Sequence, residues 1–505
     1  MLHFEVQDKR GQRADYSESV KRPSRYPCYV LVHNYDWNDY DYYTWFCLFY
    51  FKDKRSEIQK IGEFKLMCKG EKDTKEALPD TFDGHLDERF CSLGISTQYY
   101  HGIKKIVADK DEMHELLGSL RDCTYLPNVY EEFENEPGFK DSLLRDMESL
   151  EALNEALRIY EGADLDRMYS FTYRFYPAYD DSHQLYTEWN VAFKYKLPSF
   201  LRTKGLIGEN GVGKTNLLSN LVKDILEKNN NTVSNIPAFS SILVLCSTPL
   251  DKYPASDPRN PYYTCRSLEQ DFNYTAEGLI EAIDNLHLRP TLNNQSLSDI
   301  WHDLVSKFFG RGFTERILSL DMDNDGLLTQ TVNDEELKAM IEYMSSGELH
   351  ILTLITYLCS HIHLKSLIIV DEPEVHLHPH YIMEFMSVLY EFLRLFKSYA
   401  IVATHSPLVV REMVNQNVFR LNKVDGMIPH IASIPFATFG EDISMLYRRI
   451  FNFDERVSIF NKSVNKLIKK GKDYKNIASY FEKSAALSTE ARMIIRDLIE
   501  EKKNE

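Results

Sequence analysis

The sequence predicts an α/β P-loop fold with a helical arm, an α+β region before it and helices after it. Three observations predict this. The stretch GENGVGKT, Gly208 to Thr215, matches G-x-x-x-x-G-K-[ST] in full. An apolar run, IIVD, ends in Asp371 and Glu372, and another, SYAIVAT, ends just before His405. Apolar residues Leu217, Leu218, Leu221, Ile225 and Leu226 fall on one face of a helix after Thr215, so the glycine motif has the strand-turn-helix setting that its chemistry requires.

The 505 residues exceed what one hydrophobic core usually supports, so further regions are expected beside the head. Residues 1–27 read as polar and loose. Strand-like runs follow at Cys28 to Asn34, Thr44 to Phe51, Ile61 to Gly70 and Arg89 to Ser96, and helical periodicity at Asp111 to Leu120 and Phe139 to Leu157. YDWNDYDYY, Tyr35 to Tyr43, reads as a recognition loop or, in preference, as an edge loop whose tyrosines pack on the sheet. Ahead of the P-loop, SFTYRFYP and Val191 to Pro198 are candidate antiparallel strands that would cover a nucleotide base, and Ile242 to Cys246 is a buried strand.

This gives an N-terminal α+β domain over 1–160, a head over 161–455 with a helical arm over 270–343, and a C-terminal helical segment over 456–505. Inside the arm DMDNDG, Asp321 to Gly326, imitates a calcium loop, but Val332 stands where the bidentate Glu belongs. An Asx-rich turn between helices is expected instead.

The motifs carry the parts of a phosphoryl-transfer site. Gly208, Glu209, Asn210, Gly211, Val212, Gly213, Lys214, Thr215 and Asn216 form the loop whose N–H groups and lysine hold phosphate, with Thr215 and Asp371 as Mg2+ ligands. Glu372 is the expected water-orienting base and His405 the group that senses the γ-phosphate, so Glu372, His405 and Lys214 form the catalytic set and ATP and Mg2+ the cofactors. Ser345, Ser346 and Gly347 open an apolar helix, where N–H groups suit an anion. His376, His378 and His380 alternate like metal ligands, but Pro379 is expected to start a helix that ends the alternation.

With these residues in view, the order of motifs resembles ABC-type and SMC-type ATPase heads. DEPEVHLHP followed by THSP is similar to the overcoming-lysogenization-defect group, and nearest to the ATPase subunit of Septu antiphage systems, including retron-associated ones. The likeness covers Asp166 to Asp454, with PFATFGEDISMLYRRIF, Pro435 to Phe451, similar to the segment after the sensor histidine. It implies that Ser345 to Gly347 complete the site of a partner subunit, making a homodimer or higher homo-oligomer around ATP. It also implies a separate HNH-type nuclease subunit, with a retron reverse transcriptase and nucleic acid as further candidate partners. The chain departs from the pattern twice. LCSTPLDKYP offers no glutamine for the expected magnesium loop and Gln270 has no clear context, while no acidic Toprim constellation follows His405.

A net charge of -17 argues against nonspecific coating of nucleic acid, and the basic run Asn465 to Asn476 reads as a solvated helix end. No apolar stretch reaches the roughly 18 residues of a membrane span, and the first residues lack a signal-peptide core, so a cytoplasmic location is expected. Eight scattered cysteines with no C-x-x-C pair fit reduced, buried thiols. The competing readings are an SMC-like DNA-repair ATPase and a transporter ATPase subunit. An interval without sustained heptads disfavours the first, and the large region before the P-loop disfavours the second.

Overall fold

The computed structural model describes the chain except residues 10–19, 36–37, 108, 163–164, 178, 181–183, 195–196, 248–252, 257–261, 268–275, 323–327, 376, 425–427, 452–458, 484–485 and 505. The N-terminal strands are β1 (His3–Lys9), β2 (Cys28–Asn34), β3 (Trp45–Phe51), β4 (Gln59–Cys68), β5 (Thr81–Asp83) and β6 (Phe90–Gly94), in the order β5-β1-β2-β3-β4-β6. Only β1 and β2 run parallel. The expectation of a loose residue 1–27 segment is thereby corrected: His3–Lys9 is an interior strand whose Phe4 and Val6 are buried. Alternation in HFEVQDK was the available signal, masked by its polar half.

One face of this sheet packs Phe4, Tyr29 and Leu31 against the helices Thr97–Ile106 and Met147–Glu161. The other face, Cys28, Val30 and Val32, is covered by Val20, Tyr26 and Ile58. The periodicity over Phe139 to Leu157 is split into a π-helical turn, Phe139–Leu143, and the long helix. In the tyrosine-rich loop Asp39 is buried and pairs with Lys65 (2.8 Å) and Arg145 (2.6 Å), which anchors the loop on the domain.

The head holds β7 (Phe171–Phe175), β8 (Thr187–Val191), β9 (Thr203–Ile207), β10 (Val233–Ser234), β11 (Ile242–Cys246), β12 (Tyr263–Ser267), β13 (Leu318–Met322), β14 (Leu328–Val332), β15 (Leu367–Asp371), β16 (Tyr399–Thr404), β17 (Val418–Val424) and β18 (Ile428–Ser433). Its main sheet has the order β12-β11-β15-β16-β9-β17-β18, parallel except for β18. Every residue of β9, β11, β15 and β16 is buried, as expected of a parallel sheet covered on both faces. One cover contains the helix Lys214–Leu226, the other the helices Ser346–His361 and Pro379–Leu395.

A small antiparallel sheet, β10-β7-β8, joins two strands before the P-loop to one after it. Its second strand is Thr187–Val191 rather than Val191 to Pro198, because the alternation TEWNV buries Thr187, Trp189 and Val191 and so supplies the inward face. The arm contains the helices Ala276–Asp284, Leu297–Phe309, Arg311–Ile317 and Asp334–Tyr343. The strands β13 and β14, not helices, flank its Asx-rich stretch and pair antiparallel; residues 323–327 lie outside the described residues.

Lys365, at the entry to β15, is buried together with Glu151 and Glu155 of the helix Met147–Glu161 and ion-pairs with both. Tyr169 Oη donates to Glu155, so charges from the N-terminal helix and the head share one dry cluster. At the C-terminal end, Val464, Ile468, Ile477 and Ile495 form a separate core with Leu487 and Leu498 alongside. Among the described residues, the tail's apolar side chains therefore pack on one another. All eight cysteines are free and seven are buried.

Candidate functional site

The site forms where three parallel strands end together. Ile207 of β9 pairs with Thr404 of β16, and Ala403 of β16 with Asp371 of β15, so the P-loop, Asp371 and His405 emerge at one edge of the sheet. Ligands of open α/β sheets bind beyond the carboxyl ends of the strands, where helix N-termini point. Here the sequence distance of almost two hundred residues between Lys214 and His405 vanishes.

The loop Gly208 to Gly213 is shaped by its glycines. A Cβ on Gly208 would sit 2.6 Å from the Leu421 carbonyl oxygen, and Gly213 holds φ of 107° at the N-cap of the helix Lys214–Leu226. Glu209, Asn210 and Gly211 form the exposed tip, Val212 is half-buried, and Thr215 and Asn216 lie in the first helical turn. The helix has no side-chain cap, which leaves its N-terminal N–H groups available to an anion.

Lys214 is buried, with Nζ donating to the carbonyls of Gly208 (3.2 Å) and Glu209 (3.4 Å) and lying 3.1 Å from Glu372 Oε1. Glu372 has φ of 52°, uncommon for a side-chain-bearing residue, and its N–H donates to Ala403 O (2.9 Å). The imidazole of His405 and the ammonium of Lys214 outweigh its partial burial and hold its carboxyl down at about 2. His405 is pushed up in turn by Glu372 and Glu374.

Glu374 is the residue that sequence reasoning passed over. It is almost fully buried, and its Oε1 accepts from the His405 backbone N–H (2.6 Å) and from Thr404 Oγ1 (2.7 Å). The same oxygen lies 3.0 Å from His405 Nδ1, at ion-pair distance and without hydrogen-bond alignment. Its signal was the third acid of DEPE, two residues after Glu372. Tyr253 was also missed; its hydroxyl donates to Asp371 Oδ2 (3.0 Å), and nothing local in KYP marks it. Asp371 itself is wholly buried.

At the start of the helix Ser346–His361, Ser345 and Glu348 form a reciprocal capping box, and Ser345 Oγ lies 2.8 Å from Tyr381 Oη. Ser345 and Ser346 are exposed, whereas Gly347 is buried under the Tyr381 ring, 2.1 Å from where a Cβ would stand. His378 caps the helix Pro379–Leu395 and His380 lies 3.3 Å from Glu384, so these two serve the helix start; His376 lies outside the described residues, as do Gln270 and residues 248–252.

The residues present fit ATP and Mg2+: a glycine-shaped loop at an uncapped helix end, a dry lysine beside it, and a buried carboxylate at the end of β15, beyond β16. Thr215 and Asp371 would hold the metal, and Lys214 with the loop amides the phosphates.

Residues 247–411 match the family model described as "AAA domain, putative AbiEii toxin, Type IV TA system". Protein ea59 of Escherichia phage lambda is 27% identical, with 99% of this chain and 98% of that protein covered. Among solved structures, cbiO1 from Clostridium perfringens, part of an ABC transporter complex, is 18% identical over 60% of this chain and 97% of that chain, with a TM-score of 0.30. The SMC head domain from Thermotoga maritima is 14% identical over 53% of this chain and 100% of that chain, with a TM-score of 0.28. The head is an α/β P-loop fold that matches an AAA-domain model over residues 247–411, and no helix among the described residues is long and apolar enough to cross a membrane.

Proposed function

We propose that this chain binds and hydrolyses ATP as the subunit of an antiphage defence complex, dimerising around nucleotide and controlling a separate HNH-type nuclease. The observation that carries the ATPase reading is the chain of contacts from Lys214 through Glu372 to His405 and Glu374 at one sheet edge. Bound ATP and Mg2+ supply the reactive phosphoanhydride and its charge neutralisation. Lys214 exchanges Glu372 for phosphate, which leaves the Glu372 carboxylate free to accept a proton from water. Glu374 holds His405 through its backbone N–H and pairs with its ring at Nδ1.

One feature supports dimerisation: Ser345 and Ser346 are exposed at a helix start. The defence role is supported by the antiphage resemblance of DEPEVHLHP and THSP, and by the toxin–antitoxin wording of the matched family. The longest described helix of the arm is Leu297–Phe309, too short for the coiled coil of a chromosome-structure ATPase. The domain limits 1–160, 161–455 and 456–505 and the cytoplasmic location complete this reading.

The test is hydrolysis and cleavage measured side by side. The purified chain should release phosphate from ATP, lose that activity with Lys214→Ala, and leave DNA and RNA intact in Mg2+ or Mn2+ until a companion nuclease is added. Metal-dependent cutting by the chain alone would overturn the separate-nuclease reading.

A further inference from the structure

At the outer end of the N-terminal sheet, two strands bring a histidine, a glutamate and a cysteine together, far in sequence from the ATPase motifs. His3 and Glu5 are two apart on β1 and so share one face. The parallel register, Phe4 with Tyr29, sets His3 beside Cys28 on β2, while the antiparallel register pairs His3 with Asp83 on β5. One donor atom each from His3, Glu5 and Cys28 lies within 4.8 Å of the other two.

The imidazole of His3 is already oriented. Its Nδ1 donates to Asp83 Oδ1 at 2.7 Å, which leaves Nε2 with its lone pair toward the cluster. Nε2 is buried and has no hydrogen-bond partner among the described residues. Its distance to Glu5 Oε1 is 3.9 Å, too long for a hydrogen bond. Neutral His3 therefore turns a lone pair on a carboxylate, and protonated His3 leaves a buried N–H without an acceptor. A cation between the three donors relieves both conditions. Glu5 Oε1 is fixed by the Ser24 N–H (2.7 Å) and Ser24 Oγ (2.6 Å), so the carboxylate is held in place without it.

We propose that His3, Glu5 and Cys28 form a binding site for a zinc-class divalent metal, with Asp83 positioning His3. Imidazole, carboxylate and thiolate together select a borderline-soft cation over calcium or magnesium, whose shells are oxygen only. Bond lengths of about 2.0–2.3 Å place the donor atoms roughly 3.3–3.8 Å apart in a tetrahedral shell, which small side-chain rotations reach from the present spacing. Binding deprotonates the Cys28 thiol and releases that proton to solvent. The carboxylate–histidine arrangement of Asp83 and His3 is the outer-shell contact that metal-bound histidines usually make.

The test is Co2+ and Zn2+ binding to the full chain after chelator dialysis. One equivalent of Co2+ should give thiolate charge-transfer absorption in the near ultraviolet, and Zn2+ should displace it. Cys28→Ser should abolish the band, His3→Gln should weaken binding at least tenfold, and Asp83→Asn should weaken it about 10–100-fold. Cys359→Ala, in the head, should leave the band unchanged. Melting curves without metal establish that each variant is folded, and His3→Gln at the strand's outer end is the mildest of them. A Co2+ band of equal strength in folded Cys28→Ser and His3→Gln, or no band in the parent chain, overturns the proposal and leaves His3 as an ion-pair partner of Asp83.

Discussion

Lys214 Nζ lies 3.1 Å from Glu372 Oε1, so the P-loop lysine and the acid after Asp371 neutralise each other. Phosphate and Glu372 compete for the same ammonium. The His405 imidazole and, after it, this ammonium depress the Glu372 carboxyl to about 2 from an ordinary 4.5, which ties it to stability. A folded-state value below the unfolded one contributes stability that is present above pH 4.5 and is lost as pH falls toward 2. Acid unfolding of Glu372→Gln should therefore show a smaller loss between pH 5 and 3 than the parent. Parallel curves for the two proteins would refute the linkage. Lys214→Ala should also reduce ATP binding below detection in calorimetry.

Glu372→Gln is expected to slow hydrolysis on the order of a hundredfold or more while keeping ATP bound. Light scattering with ATP should then report a dimer that the parent forms only transiently. Mixing Lys214→Ala with Ser345→Arg should recover part of the activity, since one intact composite site remains per mixed dimer. Folded variants that stay inactive in every ratio would argue against completion by a partner.

Glu374→Gln should lower turnover by at least tenfold with ATP affinity little changed, because the contact it loses is to His405 and not to the P-loop. His405 is raised by its two neighbouring carboxylates, so removing one should move the His405 limb of the pH–rate profile to lower pH. An unshifted profile would reduce Glu374 to a structural role.

Gly347→Ala should disrupt the helix start at Ser345, since the added carbon meets the Tyr381 ring. The double variant Gly347→Ala, Tyr381→Ala should recover part of the lost ATPase activity by clearing that space. Equal damage in the single and double variants would show that backbone strain, not the ring, is responsible.

Lys365→Ala should destabilise the chain by about 3–5 kcal/mol, because Glu151 and Glu155 are left buried without their cation. Burial already raises the Glu155 carboxyl, with Lys365 opposing it, so loss of the cation should raise it further. Urea denaturation at neutral pH measures the cost. A change under 1 kcal/mol would mean that water enters the cluster.

The sequence by itself determined the local grammar of the head. GENGVGKT forces a strand-turn-helix through its glycines, Ser345 with Glu348 spells a capping box, and the apolar runs before Asp371 and His405 have no stable place but a buried parallel sheet. Only the tertiary structure decided what meets what. Strand order placed β16 between β9 and β15, which is why Glu372 reaches Lys214 and Glu374 holds His405. It also turned an apparently loose N-terminus into a central strand, because hydrogen bonds from β2 and β5 supply what a half-polar heptapeptide lacks alone. Periodicity records which face of an element is apolar; partners distant in sequence leave no such record, since their contact energy is felt only once the sheet has closed around them.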